Sequence, residues 1–240
     1  VHEVGPRDGL QNETTVLSTE AKLAFVDRLV ASGLTDIEVT SFVRPRWVPQ
    51  LADALELVRR LPEAPNVTWW ALVPNRVGME RALEAGIGAV ATFMSSSETH
   101  NKKNINRTIR ESLAAQKEVI QTSVAEGLRV RSYLSTVFGC PYEGQVDPNR
   151  VIALTQALLD AGAERVSLGD TPGMANPNDP SLKPLQRLLA LMAQYDASDL
   201  HLKTGSPAIM RIQGVMHAMA SKPLTSAEIH AHLKGIATPE

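Results

Sequence analysis

Arg7 and Asp8 stand side by side in VHEVGPRDGLQNE, the first thirteen residues, behind Gly5-Pro6 and ahead of Gly9, Gln11 and Asn12. Val1 and Val4 mark an apolar-flanked strand, and the glycine and proline turn its end. A cation, an anion and a flexible turn at a strand's carboxyl end are how an α/β enzyme presents charge to a ligand. An isolated Arg-Asp pair after a turn reads as a surface ion pair, so the other strand ends matter. Three more carry polar groups: Glu38, Thr40 and Ser41 in IEVTSF, the GCPYEG run at 139–144, and Asp170-Thr171 in SLGDT. Within this set Arg7 can polarise a carbonyl and hold a developing enolate. Asp8 can ligate a hard divalent cation, and Glu38 can hold either Arg7 or a metal-bound water. Taken singly, each residue also fits a helix cap or a surface pair, and Asp170 fits an N-cap as well as it fits a catalytic role.

The elements that must position these groups follow a repeat. Four times an amphipathic stretch ends in a small residue and glycine, and a β-branched apolar run follows: Gly33 before Ile37–Val39, Gly86 before Val90–Phe93, Gly127 before Val130–Tyr133, and Gly162 before Val166–Leu168. Glycine just past a helix takes the left-handed conformation without a Cβ penalty, so each marks a helix stop and a return to strand. The spacing predicts strands over 1–5, 36–41, 67–73, 89–95, 129–137 and 165–169, with helices over 19–32, 49–60, 76–85, 111–126 and 148–161. Such alternation means βα units and a parallel sheet. Six strands are countable where a closed (β/α)8 barrel has eight strands in about 250 residues. The expectation is therefore an α/β, incomplete TIM-type barrel over residues 1–178. Its first and sixth strands are open edges, which implies self-association into a homo-oligomer.

The pattern changes at Asn176-Pro177-Asn178-Asp179-Pro180, a turn or linker signal. Beyond it the sequence predicts a helix over 182–194 and a hairpin from runs 199–203 and 208–213 around Thr204–Pro207. A further helix starts at Thr225 or Ser226. Residues 179–240 thus form a small α+β segment.

Composition narrows the function classes. Net charge is −2 over 240 residues, so no electrostatic footprint points to nucleic acid or an anionic membrane surface. No apolar run approaches the roughly 20 residues of a membrane span. Cys140 is the single cysteine, which excludes an internal disulfide framework and fits a reducing, cytoplasmic compartment.

In order along the chain stand EVGPRDGLQNE (3–13), TSFVRPRWVPQLAD (40–53), LVPN (72–75), KKNIN (102–106), GCPYEG (139–144) and SLGDT (167–171). Residues 1–178 so resemble the hydroxymethylglutaryl-CoA lyase family, metal-dependent carbon–carbon lyases of TIM-barrel fold. The resemblance implies retro-Claisen cleavage of 3-hydroxy-3-methylglutaryl-CoA to acetyl-CoA and acetoacetate, in leucine breakdown or ketone metabolism. It further implies an acyl-CoA substrate and a Mg2+ or Mn2+ cofactor. Carried over residue by residue, it implies Asp8 as metal ligand, Arg7, Glu38 and Asp170 as catalytic residues, and Gln11 and Ser41 as substrate-binding.

The sequence departs from that family after residue 178. The family's H-x-H strand end with D-T-Y-G, its loop cysteine and its asparagine ligand have no counterparts here. Cys140 belongs to GCPYEG, a different loop, and reads as structural. His230-Ala231-His232 copies the H-x-H spacing, but SAEIHAHLKG is helical in pattern, and residues two apart on a helix point about 200° apart. His100 reads as a loop residue near the fourth strand's end. The tail, about 181–240, carries LLALMAQYDASDLHLKTGSPAIMRIQGVM (188–216) and is similar to the N-terminal domain of type IV pilus twitching and type II secretion ATPases. No phosphate-cradling G-x-x-x-x-G-K-[ST] follows it. Two expectations stand: a truncated lyase of impaired activity, or a catalytically inactive fusion whose tail is a protein-interaction module.

Overall fold

All four small-residue glycines end a helix in the left-handed region, with φ of 88° at Gly33, 84° at Gly86, 80° at Gly127 and 114° at Gly162. The computed structural model describes residues 1–175, then 197–201, 207, 209–212, 215–218, 223 and 225. Its strands are β1 (His2–Glu3), β2 (Asp36–Ser41), β3 (Thr68–Leu72), β4 (Ala89–Ser95), β5 (Arg129–Ser135), the short β6 (Gly139–Cys140) and β7 (Gly144–Gln145), and β8 (Arg165–Gly169). Helices α1 (Thr19–Ala31), α2 (Ala54–Arg59), α3 (Arg76–Ala85), α4 (Glu98–Ile105), α5 (Ile109–Ala125) and α6 (Pro148–Asp160) connect them.

One sheet runs β1-β2-β3-β4-β5-β8, in chain order, with β1–β2, β2–β3 and β3–β4 paired parallel. These are six successive βα units of a TIM-type barrel. The helix starts are chemically specified: Ser18, Asn75 and Ser97 each accept an amide at the head of α1, α3 and α4, and Thr108 with Glu111 forms a capping box on α5. Ile37, Val39, Ala71, Val73, Val90, Ala91 and Ile120 are fully buried in the apolar core.

Three differences from the sequence reading concern the site. β1 stops at Glu3, and a π-helical turn over Gly5–Gly9 replaces its expected end. The expected helix over 49–60 divides into a 3-10 turn at Pro49–Leu51 and α2. Helix α4 carries His100 and the KKNIN motif where a loop was expected. Its polarity leaves no apolar periodicity to read.

The chain divides into two compact units, residues 1–94, 107–134 and 156–167, and residues 95–106, 135–155 and 168–240. In the tail, β9 (Ala197–His201), β10 (Ile209–Ile212) and β11 (Val215–Ala218) form an antiparallel sheet in the order β11-β10-β9. The expected hairpin is thus present and gains a third strand. The expected helices over 182–194 and from 225, the boundary near 178 and the His230–His232 pair lie outside the described residues.

Lys22 braces the first loops. Its side chain is 2% exposed, and Nζ donates to the Gln50 carbonyl at 2.6 Å and to Asp53 at 2.5 Å, while Thr19 donates to the same carboxylate. Gln50 Nε2 in turn donates to the Glu13 carbonyl, tying the loop after β2 to the loop after β1. Removing one partner of such a pair strands a charge away from water. Asp53→Ala should therefore destabilise the fold by about 3 kcal/mol in urea denaturation. A change under half of that would show that Lys22 reaches solvent or another partner.

Candidate active site

The turn at Gly5–Gly9 winds around the Val4 carbonyl, which accepts the amides of Arg7 and Asp8 at 3.0 and 2.7 Å. A Cβ at Gly5 would lie 2.7 Å from Glu3 Oε1, the atom its own amide donates to, so a side chain there would displace the Glu3 carboxylate. The winding sends neighbouring side chains in opposite senses: Arg7 is 11% exposed and Asp8 53%. Asn12 Nδ2 closes the turn on the Asp8 carbonyl.

Arg7 meets Glu38. Its Nε donates to Glu38 Oε1 at 2.5 Å and its Nη1 to Asp8 Oδ1 at 2.5 Å. Nη2 has no protein partner among the described residues. Glu38 is fully buried, and its Oε2 accepts from the Tyr133 hydroxyl at 2.7 Å and from His2 Nε2 at 3.3 Å. Register explains the convergence, since Glu38 lies opposite Trp70 on β3 and a bulge follows it on β2. The His2 ring packs edge-on against both Trp70 and Tyr133.

Burial pushes the Glu38 carboxyl upward, but the His2 hydrogen bond, the Arg7 charge and the Tyr133 hydroxyl together hold it below the usual carboxylate range. Burial likewise lowers Arg7, and the charges of Glu38 and Asp8 with the Glu38 hydrogen bond together more than restore it. Tyr133 is raised by burial and by the Glu38 charge, so it remains a phenol and a donor. Arg131 lies beside them, 6% exposed, with Nη2 donating to Ser167 Oγ while Nε and Nη1 are buried and unpartnered. Its guanidinium lies 5.1 Å from the Tyr133 ring and 5.8 Å from that of Trp70. Of the buried charges in this region two are guanidiniums and one is a carboxylate, while the second anion paired with Arg7, Asp8, is exposed to water. The region is suited to an oxyanion.

The remaining sequence-predicted residues sit as follows. Ser41 is fully buried with its Oγ unpartnered, and Gln11 is half-buried beside the turn with no side-chain hydrogen bond among the described residues. Asp170 belongs to the second unit, where its carboxylate accepts the Met174 and Ala175 amides and caps its own turn. In that unit α4 and GCPYEG are clamped together: Thr99 N donates to Glu143, Lys103 lies over the Tyr142 ring, and Ser97 Oγ donates to buried Cys140. Among the described residues no group of three His, Cys, Asp or Glu is placed to hold a metal ion. They offer a divalent cation one exposed carboxylate, Asp8, which is not a ligand set. His2, Tyr133 and Arg131 were missed by sequence reasoning. The signal available was alternation in RVRSYLS, where Arg129, Arg131 and Tyr133 recur every second residue along β5.

Burial lowers the His2 pKa, against the Glu38 hydrogen bond that raises it. On acidification below about 6.5 the unfolded chain protonates this residue first, so stability falls from there toward the lower folded value. Glu38 contributes stability that is present above about 4.3 and lost as pH drops through its lowered value. Urea denaturation should show both losses, and His2→Gln should remove the upper one while leaving the lower. A His2→Gln protein with the same loss between about pH 6.5 and 5 would contradict the buried neutral imidazole.

Comparison with known proteins agrees with this geometry. The HMGL-like family profile matches residues 1–195, past the boundary near 178 that the motifs marked. A hydroxymethylglutaryl-CoA lyase of Bacillus subtilis is 47% identical over 202 residues, 84% of this chain and 66% of that protein. Other curated lyases are matched over about half of their length. The crystal structure of hydroxymethylglutaryl-CoA lyase from Pseudomonas aeruginosa superposes with a TM-score of 0.73 at 42% identity, covering 80% of this chain and 63% of that one. An Acinetobacter baumannii HMG-CoA lyase in complex with coenzyme A and 3-methylmalate gives 0.68 at 31%, over 79% and 69%. The chain belongs to the HMGL-like family.

Proposed function

We propose that this chain serves hydroxymethylglutaryl-CoA cleavage, with Arg7 as the group that receives the developing enolate. The observation that carries the reading is the buried charge balance. Glu38 holds Arg7 through Nε, which leaves Nη2 free to donate to a thioester oxygen, and Arg131 adds a second buried cation. As the tertiary hydroxyl gives up its proton, breaking the bond between C2 and C3 of 3-hydroxy-3-methylglutaryl-CoA releases acetoacetate and leaves the electron pair on the acetyl-CoA enolate, which then takes up a proton at C2. A cation held in a water-poor site stabilises that oxyanion more than it stabilises the neutral thioester. Ser41 and Gln11 serve as substrate contacts, and Asp8 as one carboxylate toward Mg2+ or Mn2+. Asp170 acts by ordering the loop after β8. The reading includes a cytoplasmic setting with Cys140 reduced and a homo-oligomer, since among the described residues β1 and β8 are the outer strands of the sheet.

Turnover is low in this reading. Both Glu38 oxygens are engaged and Cys140 is fully buried, so neither is free to shuttle a proton. Assayed with 3-hydroxy-3-methylglutaryl-CoA and Mg2+, the chain should run at least about 10²-fold below the Bacillus relative. Arg7→Gln should remove what remains, by about 10²-fold, and weaken acetyl-CoA binding. A variant that binds and cleaves like the parent would overturn the assignment.

A second reading concerns the tail. The antiparallel β9-β10-β11 sheet begins at Ala197, beyond the family match, and supports an interaction module of the pilus and secretion ATPase type. Under that reading the tail docks on a partner protein and contributes nothing to the lyase site.

A further inference from the structure

Directly after β2 the chain makes an exposed turn over Arg44–Trp47. Trp47 N donates to the Arg44 carbonyl at 2.9 Å, closing a four-residue turn whose second position is Pro45, a residue that presets the required φ. The closure brings three side chains together. The Arg44 guanidinium lies 5.3 Å and that of Arg46 5.5 Å from the centre of the Trp47 ring. The indole is nonetheless 65% exposed, and neither guanidinium has an ion pair or hydrogen bond among the described residues.

The ring face attracts each guanidinium, so the three side chains already form one cluster at the surface. An indole in water forgoes its burial energy, and two like charges on one ring repel. The segment from Phe42 to Gln50 has two arginines and no acidic residue, in a chain whose net charge is −2. A flat π surface beside two unneutralised planar forks fits an aromatic base carrying phosphates.

Position identifies which ligand. β1 and β2 are parallel neighbours, so the loops after them emerge at the same end of the sheet. The Gln50–Glu13 hydrogen bond fixes the two loops to each other. The turn therefore lies at the same end of the sheet as Arg7, on a loop tied to the one that follows Arg7. We propose that Arg44, Arg46 and Trp47 bind the adenosine end of acyl-CoA, the guanidiniums taking the 3′-phosphate and 5′-diphosphate and the indole stacking on adenine. This rests on the acyl-CoA reading of the Arg7 centre and extends it to a second contact, made by residues outside the chemistry.

Calorimetric titration of the full chain tests it, using coenzyme A, dephospho-coenzyme A, adenosine 3′,5′-bisphosphate and S-acetylpantetheine as probes. The parent should bind coenzyme A more tightly than dephospho-coenzyme A and far more tightly than S-acetylpantetheine. Adenosine 3′,5′-bisphosphate alone should bind and quench indole fluorescence. Arg44→Ala/Arg46→Ala and Trp47→Ala should each weaken coenzyme A by about 10-fold or more, with melting temperature unchanged. Arg44→Lys/Arg46→Lys should recover part of the phosphate preference but not the stacking. If the parent binds coenzyme A and these variants bind it equally well, the docking turn is wrong while the reading of Arg7 stands. A parent that binds no coenzyme A at all overturns both.

Discussion

A carboxylate with no access to water stays ionised only if its surroundings replace the lost hydration, and Glu38 imposes that constraint on the first unit. Its two oxygens receive donors from three separate parts of the chain: Arg7 after β1, His2 within β1 and Tyr133 on β5. Each donor is itself buried or nearly so, and each would be costly without the anion. Held this way, Arg7 is pinned through Nε with one face of its fork left open. The balance of two buried guanidiniums against one buried anion, with Asp8 pairing Arg7 from the solvent side, then turns a stability requirement into a chemical property, a buried excess of positive charge.

Positioning comes from short-range features. The π-helical turn exists because Val4 offers one carbonyl to three successive amides and Gly5 leaves room for Glu3. It separates adjacent residues into an inward cation and an outward carboxylate. Lys22 performs the corresponding task outside the sheet, bracing Gln50 and Asp53, and Gln50 in turn ties the loop after β2 to Glu13.

Much of this was legible in the sequence. Small residue plus glycine predicted every helix stop it marked, and Ser18 was readable as a cap because a hydroxyl before an apolar-periodic run has few other uses. Arg7, Asp8 and Glu38 stood out by charge at strand ends, where a β strand otherwise wants apolar groups. Other features were hidden for physical reasons. Helix α4 is polar throughout and held by its Ser97 cap and contacts to GCPYEG, so no periodicity betrays it. His2, Tyr133 and Arg131 owe their importance to pairing across β1, β2 and β5, which depends on register and a bulge rather than on local composition. Asp170 fitted a cap as well as a catalytic group, and its carboxylate is occupied by amides of its own turn.

The central claim is that Glu38 is a permanent buried anion organised by Arg7, Tyr133 and His2. Carbon-13 labelling of glutamate side chains, with the Glu38 carboxyl identified by its loss in Glu38→Gln, allows its titration to be followed directly by NMR. The account predicts a carboxyl resonance that keeps its ionised shift through the pH range where exposed glutamates titrate, near about 4.3, and changes only below it. A Glu38 resonance that moves at or above that range would contradict it, because the oxygen that holds Arg7 would then carry a proton under ordinary conditions.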